Sequence, residues 1–543
     1  MASIMSGSRQ ILKQLELIIR AKYPILYLVS WEENRVIHYL EHILRTNFNP
    51  PKEIICWSST EGMKKAGQVI DKGCATPAHA LDFVQRSTDN ALFILKDFHV
   101  YMGSVHQGRP ENPDLIRKIK DLAAQLKKTY KTLILLSPLI QIPEDLKKTI
   151  TLIEFPPPTA EEITSILNNL IAKYETDPRV TIQLTSPEKV KLVKAALGLT
   201  LEEAESAFAL ALVKDKRLDI SDVKIVLEEK KQIIKKIGLL EYIETDETID
   251  QIGGLENLKN WFKKREKVFL DEAKEYGLPS PKGVLLTGMP GCGKSLSAKA
   301  IASLWGLPLL RLDMGKVFSG IVGSSEENIR TIIFTVESIA PAILWIDEIE
   351  KGFSGSEGTG DSGTSARVFS SFLTWMQEKQ TPVFIVATAN NIDRLPPELL
   401  RKGRFDEIFF VDLPSLRERR DIFTIHIKKR CIAKKACGEF TLTKELLTKL
   451  ALASKGFSGA EIEQTVIEGF LDAYYADRSI TEDDLVKSVC NTIPLSRTRK
   501  EKIDHIRQWA NERAVRASKN YESEERRSND SVNDIPAGRD IEF

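Results

Sequence analysis

The chain reads as an α/β protein: a three-layer sandwich with a small helical lid, preceded by a degenerate copy of the same architecture. Three observations predict this. A Gly-rich turn, Gly288 to Ser295, lies between the apolar run Val284-Leu285-Leu286 and a helical pattern from Leu296 to Leu304. A second apolar run, Ala342 to Ile346, ends in Asp347-Glu348. Short patterns of the first half recur in the second at a constant offset of 258 residues. At 543 residues the chain is also too long for a single core.

The turn comes first because it carries the most chemistry. Gly288-Met289-Pro290-Gly291-Cys292-Gly293-Lys294-Ser295 has the strand, loop and helix order of a phosphate loop, the Walker A pattern. Its glycines let consecutive backbone N–H groups turn toward an anion, and the following helix start adds partial positive charge. Lys294 supplies a mobile cation for β/γ-phosphates, and the Ser295 hydroxyl can hold Mg²⁺. A nucleoside triphosphate is therefore the expected ligand.

Ala342 to Ile346 reads as a buried parallel strand that delivers two acids to the carboxyl edge of a sheet, the Walker B position. Asp347 is placed for the Mg²⁺ shell, and Glu348 for orienting the attacking water. The run Pro382 to Ala389 is another buried strand, ending at Asn390, whose amide can bind that water or the terminal phosphate. Arg401 and Arg404 then set two guanidinium groups three residues apart beside a turn, suited to planar contacts with phosphate oxygens.

Asp250 to Leu258, the phosphate loop, Asp347-Glu348, Asn390, Arg401/Arg404 and Gly456 to Ile462 occur in the order of one family. Together they resemble the AAA ATPase module of the classical branch, over about residues 245–500. The resemblance implies ATP and Mg²⁺ as cofactors. It implies that Ile252 and Gly253 flank the adenine, with Leu296 beside the loop, and that Asn390 is the first sensor. It also implies that Arg401 and Arg404 are fingers given to a neighbouring subunit of a homo-oligomeric, usually hexameric, ring. The motif Gly456-Phe457-Ser458-Gly459-Ala460 would open a helix of the lid.

In the first half, Leu152 to Pro156 reads like Phe410 to Pro414, and Gly198 to Glu205 like Gly456 to Glu463. Ile25–Val29, Leu92–Leu95 and Leu133–Leu136 match the three motif strands. The expected organisation is a degenerate AAA-like α/β domain over 1–155 with its lid over 156–240. An AAA core over 241–415, a lid over 416–500, and a helix with a disordered tail over 501–543 complete it. An ungapped match of Ser30 to Thr287 puts Ile37 where Lys294 stands and turns Glu32 and Glu33 toward the phosphates, so this copy is expected not to bind nucleotide. Its acid motif shrinks to Lys96-Asp97.

Met1 to Arg20 is compatible with a transit peptide, but Ile11, Leu12, Leu15, Leu17 and Ile18 read as an amphipathic helix. Lys+Arg 77 against Asp+Glu 76 leaves a net charge of +1, which argues against nucleic acid or an anionic membrane as partner. No apolar run reaches the roughly 18 residues of a membrane span. Six scattered cysteines suggest a reduced compartment, with Cys431 and Cys437 read as loop thiols rather than a pair. The Gly/Ser-rich stretch Ser354–Ser365 reads as a mobile loop, and Ile503 to Ala517 as a helix packing through Ile506 and Trp509.

One departure from the family stands out. In Phe318–Gly323, Ile321 occupies the position where unfolding motors carry an aromatic residue, which implies a weaker grip on a threaded chain. There is no His-Glu-x-x-His motif of the family's membrane proteases. The whole chain resembles the chloroplast-reading-frame AAA proteins of plastids and cyanobacteria, which implies a soluble location in stroma or bacterial cytoplasm. Three functions follow in order: a remodeller of a protein or protein complex; a nucleotide-dependent regulatory scaffold with slow turnover; and, last, a nucleic-acid motor.

Overall fold

A computed structural model describes residues 6–519, apart from 104–109, 246, 270–272, 274, 319–323, 353–361, 402 and 432–433. The expectations for Ile321, for most of the Gly/Ser-rich stretch and for the tail beyond residue 519 lie outside the described residues. The chain forms two compact units, residues 1–232 and 233–543.

In the first unit, β1 (Ile25–Val29), β2 (Glu53–Ser58), β3 (Gly62–Lys65), β4 (Gln68–Asp71), β5 (Ala91–Lys96), β6 (Thr132–Ser137) and β7 (Thr151–Glu154) form one sheet in the order β4-β3-β2-β5-β6-β1-β7. Five strands, β2-β5-β6-β1-β7, are parallel, and β3 and β4 add an antiparallel edge. Alternate residues of β1 enter opposite cores: Ile25 and Tyr27 one, Leu26 and Leu28 the other. That is the signature of a sheet with helices on both faces. The lid carries the short pair β8 (Thr181–Ile182) and β9 (Arg217–Leu218).

The second unit repeats the plan. Strands β10 (Leu240–Ile243), β11 (Gly283–Gly288), β12 (Leu309–Leu312), β13 (Ala342–Ile346), β14 (Val383–Ala389), β15 (Glu407–Val411) and β16 (Val515–Arg516) run β10-β12-β13-β14-β11-β15-β16. The five strands β12-β13-β14-β11-β15 take the same parallel order as their counterparts in the first unit. Leu285 enters one core, and Val284 and Leu286 the other.

Each lid has helices that begin alike. Thr159 and Ser415 cap Ala160–Tyr174 and Leu416–Arg430 through capping boxes with Glu162 and Glu418. Thr200 and Ser458 do the same for Leu201–Asp215 and Gly459–Tyr475, with Glu203 and Glu461. The second pair keeps the offset of 258 residues and the first is offset by 256, so the repeated pattern becomes a shared set of helix starts.

Two expectations are corrected. Cys431 and Cys437 form a disulfide with their Cα atoms 5.4 Å apart, because the helix Leu416–Arg430 ends at Cys431 and the next short helix, Lys434–Cys437, turns back beside it. Ser362 to Ser365 are helical rather than loop, since they open the helix Ser362–Glu378, whose Phe369, Phe372 and Met376 are buried.

Candidate functional site

A cleft of about 480 Å³ lies at the carboxyl edge of the second sheet, between core and lid. Its floor is the turn 289–293, between β11 and the helix Lys294–Trp305. Gly288 (φ +133°) sits against β15 so closely that a Cβ would lie 2.1 Å from the Val411 carbonyl oxygen. Gly291 (φ +72°) approaches the lid helix, where a Cβ would meet that of Ala460 at 2.9 Å. The lid closes on the turn through the Ala460 N–H, which donates to the Gly291 carbonyl at 2.9 Å.

Lys294 is buried, and its Nζ donates back to the carbonyls of Gly288 (3.0 Å) and Met289 (2.7 Å). Burial lowers its pKa to about 8. An ammonium held, among the described residues, by two carbonyl dipoles is a cation prepared for an anion. The neighbouring Cys292 is half-buried, and burial of its thiol pushes the pKa up to about 12, which disfavours the reactive thiolate.

Asp347 and Glu348 follow the end of β13 and line the cleft, joined by a residue that sequence reasoning missed. Because Ile346 pairs with Ala387, Asp347 falls beside Thr388. The Thr388 hydroxyl donates to Asp347 Oδ1 at 2.7 Å and accepts the Glu348 N–H at 3.0 Å. Ser295 Oγ also donates to Asp347 Oδ1, at 3.3 Å. The Asn390 side-chain amide donates to Glu348 Oε1 at 2.8 Å, and Lys351 pairs with the other oxygen. Glu348 has φ +50°, unusual for a residue with a Cβ, and it stands in the cleft. Ser295, Asp347, Thr388, Glu348 and Asn390 are thus connected in one series beside a buried lysine, the Thr388–Glu348 link running through the Glu348 backbone N–H. This donor set fits a triphosphate with its hard cation, since oxygen ligands and a lysine meet at one cleft end.

Residues 284–413 match the family model described as "ATPase family associated with various cellular activities (AAA)". Residues 11–155 and 161–237 match the N-terminal and second domains of SpoVK-like AAA ATPases. An "Uncharacterized AAA domain-containing protein ycf46" of Trieres chinensis is 40% identical over 510 residues, covering 93% of this chain and 97% of the relative. The chain belongs to the AAA ATPase family. A ycf46 relative of Guillardia theta is equally similar, 40% identical with 93% and 96% covered. A proteasome-activating nucleotidase of Saccharolobus solfataricus is 30% identical over 347 residues, 62% of this chain and 82% of that protein.

At the other end of this AAA cleft, Ile252 and Gly253 face Ile422, Ile425 and His426 of the lid. Burial lowers the pKa of His426, and its Nδ1 lies 3.4 Å from Glu463 Oε1. Glu418, buried in the first lid turn, accepts the Leu255 N–H at 3.1 Å and the Ser518 hydroxyl at 2.5 Å. Ser518 itself lines the cleft, brought there by β16, which pairs with β15. Leu296, Ser295 and the turn residues Pro290 to Gly293 all line it too.

Arg401 and Arg404 are not brought to this cleft. They precede β15 at the amino edge of the sheet, where the Asp406 N–H donates to the Gly283 carbonyl at 2.8 Å. The six residues of β11 separate that edge from the turn, about 20 Å at the usual strand rise. Arg401 is exposed; Arg404 is half-buried, its Nη1 without a hydrogen-bond partner among the described residues.

In the first unit the corresponding place is filled by the protein itself. Only residues 30–32 connect β1 to the helix Glu33–Asn47. The ungapped match of Ile37 to Lys294 is therefore wrong: the loop is shortened, and Glu33, the first helical residue, takes the place of Lys294. Glu32 is not turned toward an open phosphate site either. Its Oε1 accepts the Leu201 N–H at the lid helix start (2.7 Å), and Oε2 accepts from Arg35 (2.8 Å). Arg35 is buried and binds Glu162 through Nε (2.8 Å) and Nη2 (3.0 Å) and the Pro156 carbonyl (2.7 Å). Burial raises the Glu32 pKa; burial also acts on Glu162, but the hydrogen bonds from Arg35 and its neighbours hold that carboxyl below its usual value. An acid does stand at the position of Glu348: Asp97, with φ +51°.

Proposed function

We propose that the second unit hydrolyses ATP to ADP and phosphate, in a site completed by a neighbouring copy within a closed, hexameric ring. The observation that carries this is the connected series Ser295–Asp347–Thr388–Glu348–Asn390 at the end of a cleft floored by Lys294. In this reading the backbone amides of Gly288, Met289, Pro290, Gly291, Cys292 and Gly293, with Lys294, hold the phosphates. Ser295 and Asp347 hold Mg²⁺, which when bound neutralises phosphate charge and fixes the orientation of the terminal group. Glu348 orients the attacking water and takes its proton, while Asn390 fixes the Glu348 carboxylate through Oε1. Ile252 and Gly253 flank the base.

Arg401 and Arg404 stand one strand length from their own cleft, so they can serve only the cleft of another copy. Such a finger is worth roughly 10³–10⁵ in kcat. The work done with this energy is the remodelling of a protein or protein complex; the likeness to a protein named as proteasome-activating supports a protein as substrate. The likeness to ycf46 proteins supports plastid stroma or cyanobacterial cytoplasm as the location. Among the described residues no helix is long and apolar enough to cross a membrane. A second reading, a regulatory scaffold with slow turnover, is favoured by Ile321 in place of an aromatic.

The test is Glu348→Gln in the full chain. It should retain ATP, lose turnover and trap the assembled ring with its bound protein partner; turnover at the wild-type rate would contradict the role of Glu348. For the wild type, turnover per chain should climb with protein concentration. Unfolding of a tagged polypeptide during hydrolysis would favour the remodeller, and hydrolysis without it the scaffold.

A further inference from the structure

A second cavity, of about 290 Å³, adjoins the nucleotide cleft. Pro290, Glu348 and Asn390 line both, so the two meet where the phosphate loop faces the water-orienting acid. The far wall of the second cavity is the C-terminal segment, which brings Arg499 and Lys502. Arg499 is the N-cap residue of the helix Lys500–Arg513, and Lys502 lies in its first turn.

That helix is firmly placed. Ile503, Ile506 and Ala510 are buried in one cluster with Met289, Ile392 and Phe410. Arg507 grips Asp412 through Nε and Nη2 at 2.9–3.1 Å. Arg499 and Lys502 are exposed, and neither side chain has a hydrogen bond or ion pair with another described residue. Carboxylates dominate what they face: Glu348 and Glu461 line the same cavity. The lid helix that abuts the turn starts with Gly459-Ala460 and offers no cation of its own. Two long cations held at the acid end of the cleft, with no anion of a described residue engaged, have the chemistry of a contact for an incoming anion.

We infer that Arg499 and Lys502 reach through this second cavity to the terminal phosphate of the bound nucleotide. The C-terminal helix thereby supplies a same-chain cationic contact that distinguishes ATP from ADP. The inference rests on the ATPase reading above. A diphosphate held by the loop amides and Lys294 ends short of Glu348 and Asn390, so it does not engage the pair; a triphosphate extends toward them.

The test is the full chain carrying Arg499→Gln and Lys502→Gln, with MgATP and MgADP affinities measured separately by titration calorimetry. Both side chains are exposed, and the ADP titration reports whether the variant is folded. The expected result is a loss of roughly tenfold or more in ATP affinity with ADP affinity within about twofold of wild type. Arg499→Lys with Lys502 retained should recover most of the loss. An unchanged ratio of ATP to ADP affinity would overturn the inference, and so would an equal loss of both, which would mark the pair as structural. Wild-type protein that binds neither nucleotide would instead remove the ATPase reading on which the inference stands.

Discussion

Glu33 and Lys96 form an ion pair of 2.7 Å in the first unit, at the two places where the second unit has Lys294 and Asp347. Helix start and strand end have exchanged charge. Where the proposed site of the second unit has a cation for phosphate and an acid for metal, the first unit has an anion and a cation. Together with Arg35, locked between Glu32 and Glu162, this makes the first unit a nucleotide fold that satisfies its own site.

The two ion pairs should differ in value. Glu33 and Lys96 are about one-third and one-quarter exposed, so Glu33→Ala should cost about 0.5–1 kcal/mol. Arg35 is 4% exposed at its side chain, and removing it strands two buried carboxylates. Arg35→Ala should cost about 3–5 kcal/mol. Denaturant titration of the two variants checks the order; equal costs would contradict the sealing role.

Nucleotide affinity should depend on pH through Lys294. Burial lowers it to about 8 in the free protein, and phosphate favours its charged form. Affinity should be full below pH 8 and decline above it by up to tenfold per pH unit, with a proton taken up on binding. The free protein should behave oppositely in stability. An unfolded lysine keeps its proton to about 10.4, so this group's contribution to folding improves as pH rises from 8 to 10. Titrations at pH 7 and 9.5 in buffers of different ionisation enthalpy test the proton uptake.

Cys292 should resist alkylation despite lining the cleft. Its thiol is pushed up to about 12 by burial, whereas Cys490 is exposed. With iodoacetamide at pH 8, mass spectrometry should find Cys490 modified well before Cys292. Comparable rates would contradict the raised pKa of the Cys292 thiol.

Removal of residues 499–543 should impair the cleft as well as the fold. Met289, Ile392 and Phe410 lose their cover, and Glu418 loses the Ser518 hydroxyl. We expect a loss of several kcal/mol in stability, given the cost of uncovering about three large apolar side chains, and weaker ATP binding in whatever remains folded. Thermal denaturation and nucleotide titration together check this; unchanged affinity would contradict the contribution of the C-terminal segment.

The placement of the Gly-rich turn, of Asp347 and Glu348 and of Asn390 at strand ends was legible in the sequence, because an apolar run announces each strand. The duplicated plan was legible because capping residues such as Thr200 and Ser458 keep their spacing from the strands before them. Thr388 was hidden because its role depends on the register of β13 against β14. Ser518 and Arg507 were hidden because contacts across roughly a hundred residues bring them to the site. The shortened turn at 30–32 misled an ungapped match, since loss of a loop leaves no residue to read. The Cys431–Cys437 bond depended on a turn back after a helix end, which six-residue spacing alone does not specify.

The most direct test of the account is a calorimetric titration of the full-length chain with ATP, with and without Mg²⁺, beside Lys294→Ala. The expected result is magnesium-dependent binding at one site per chain, abolished by the substitution. Binding at two sites per chain, magnesium-dependent affinity that survives Lys294→Ala, or no affinity in the wild type would contradict it.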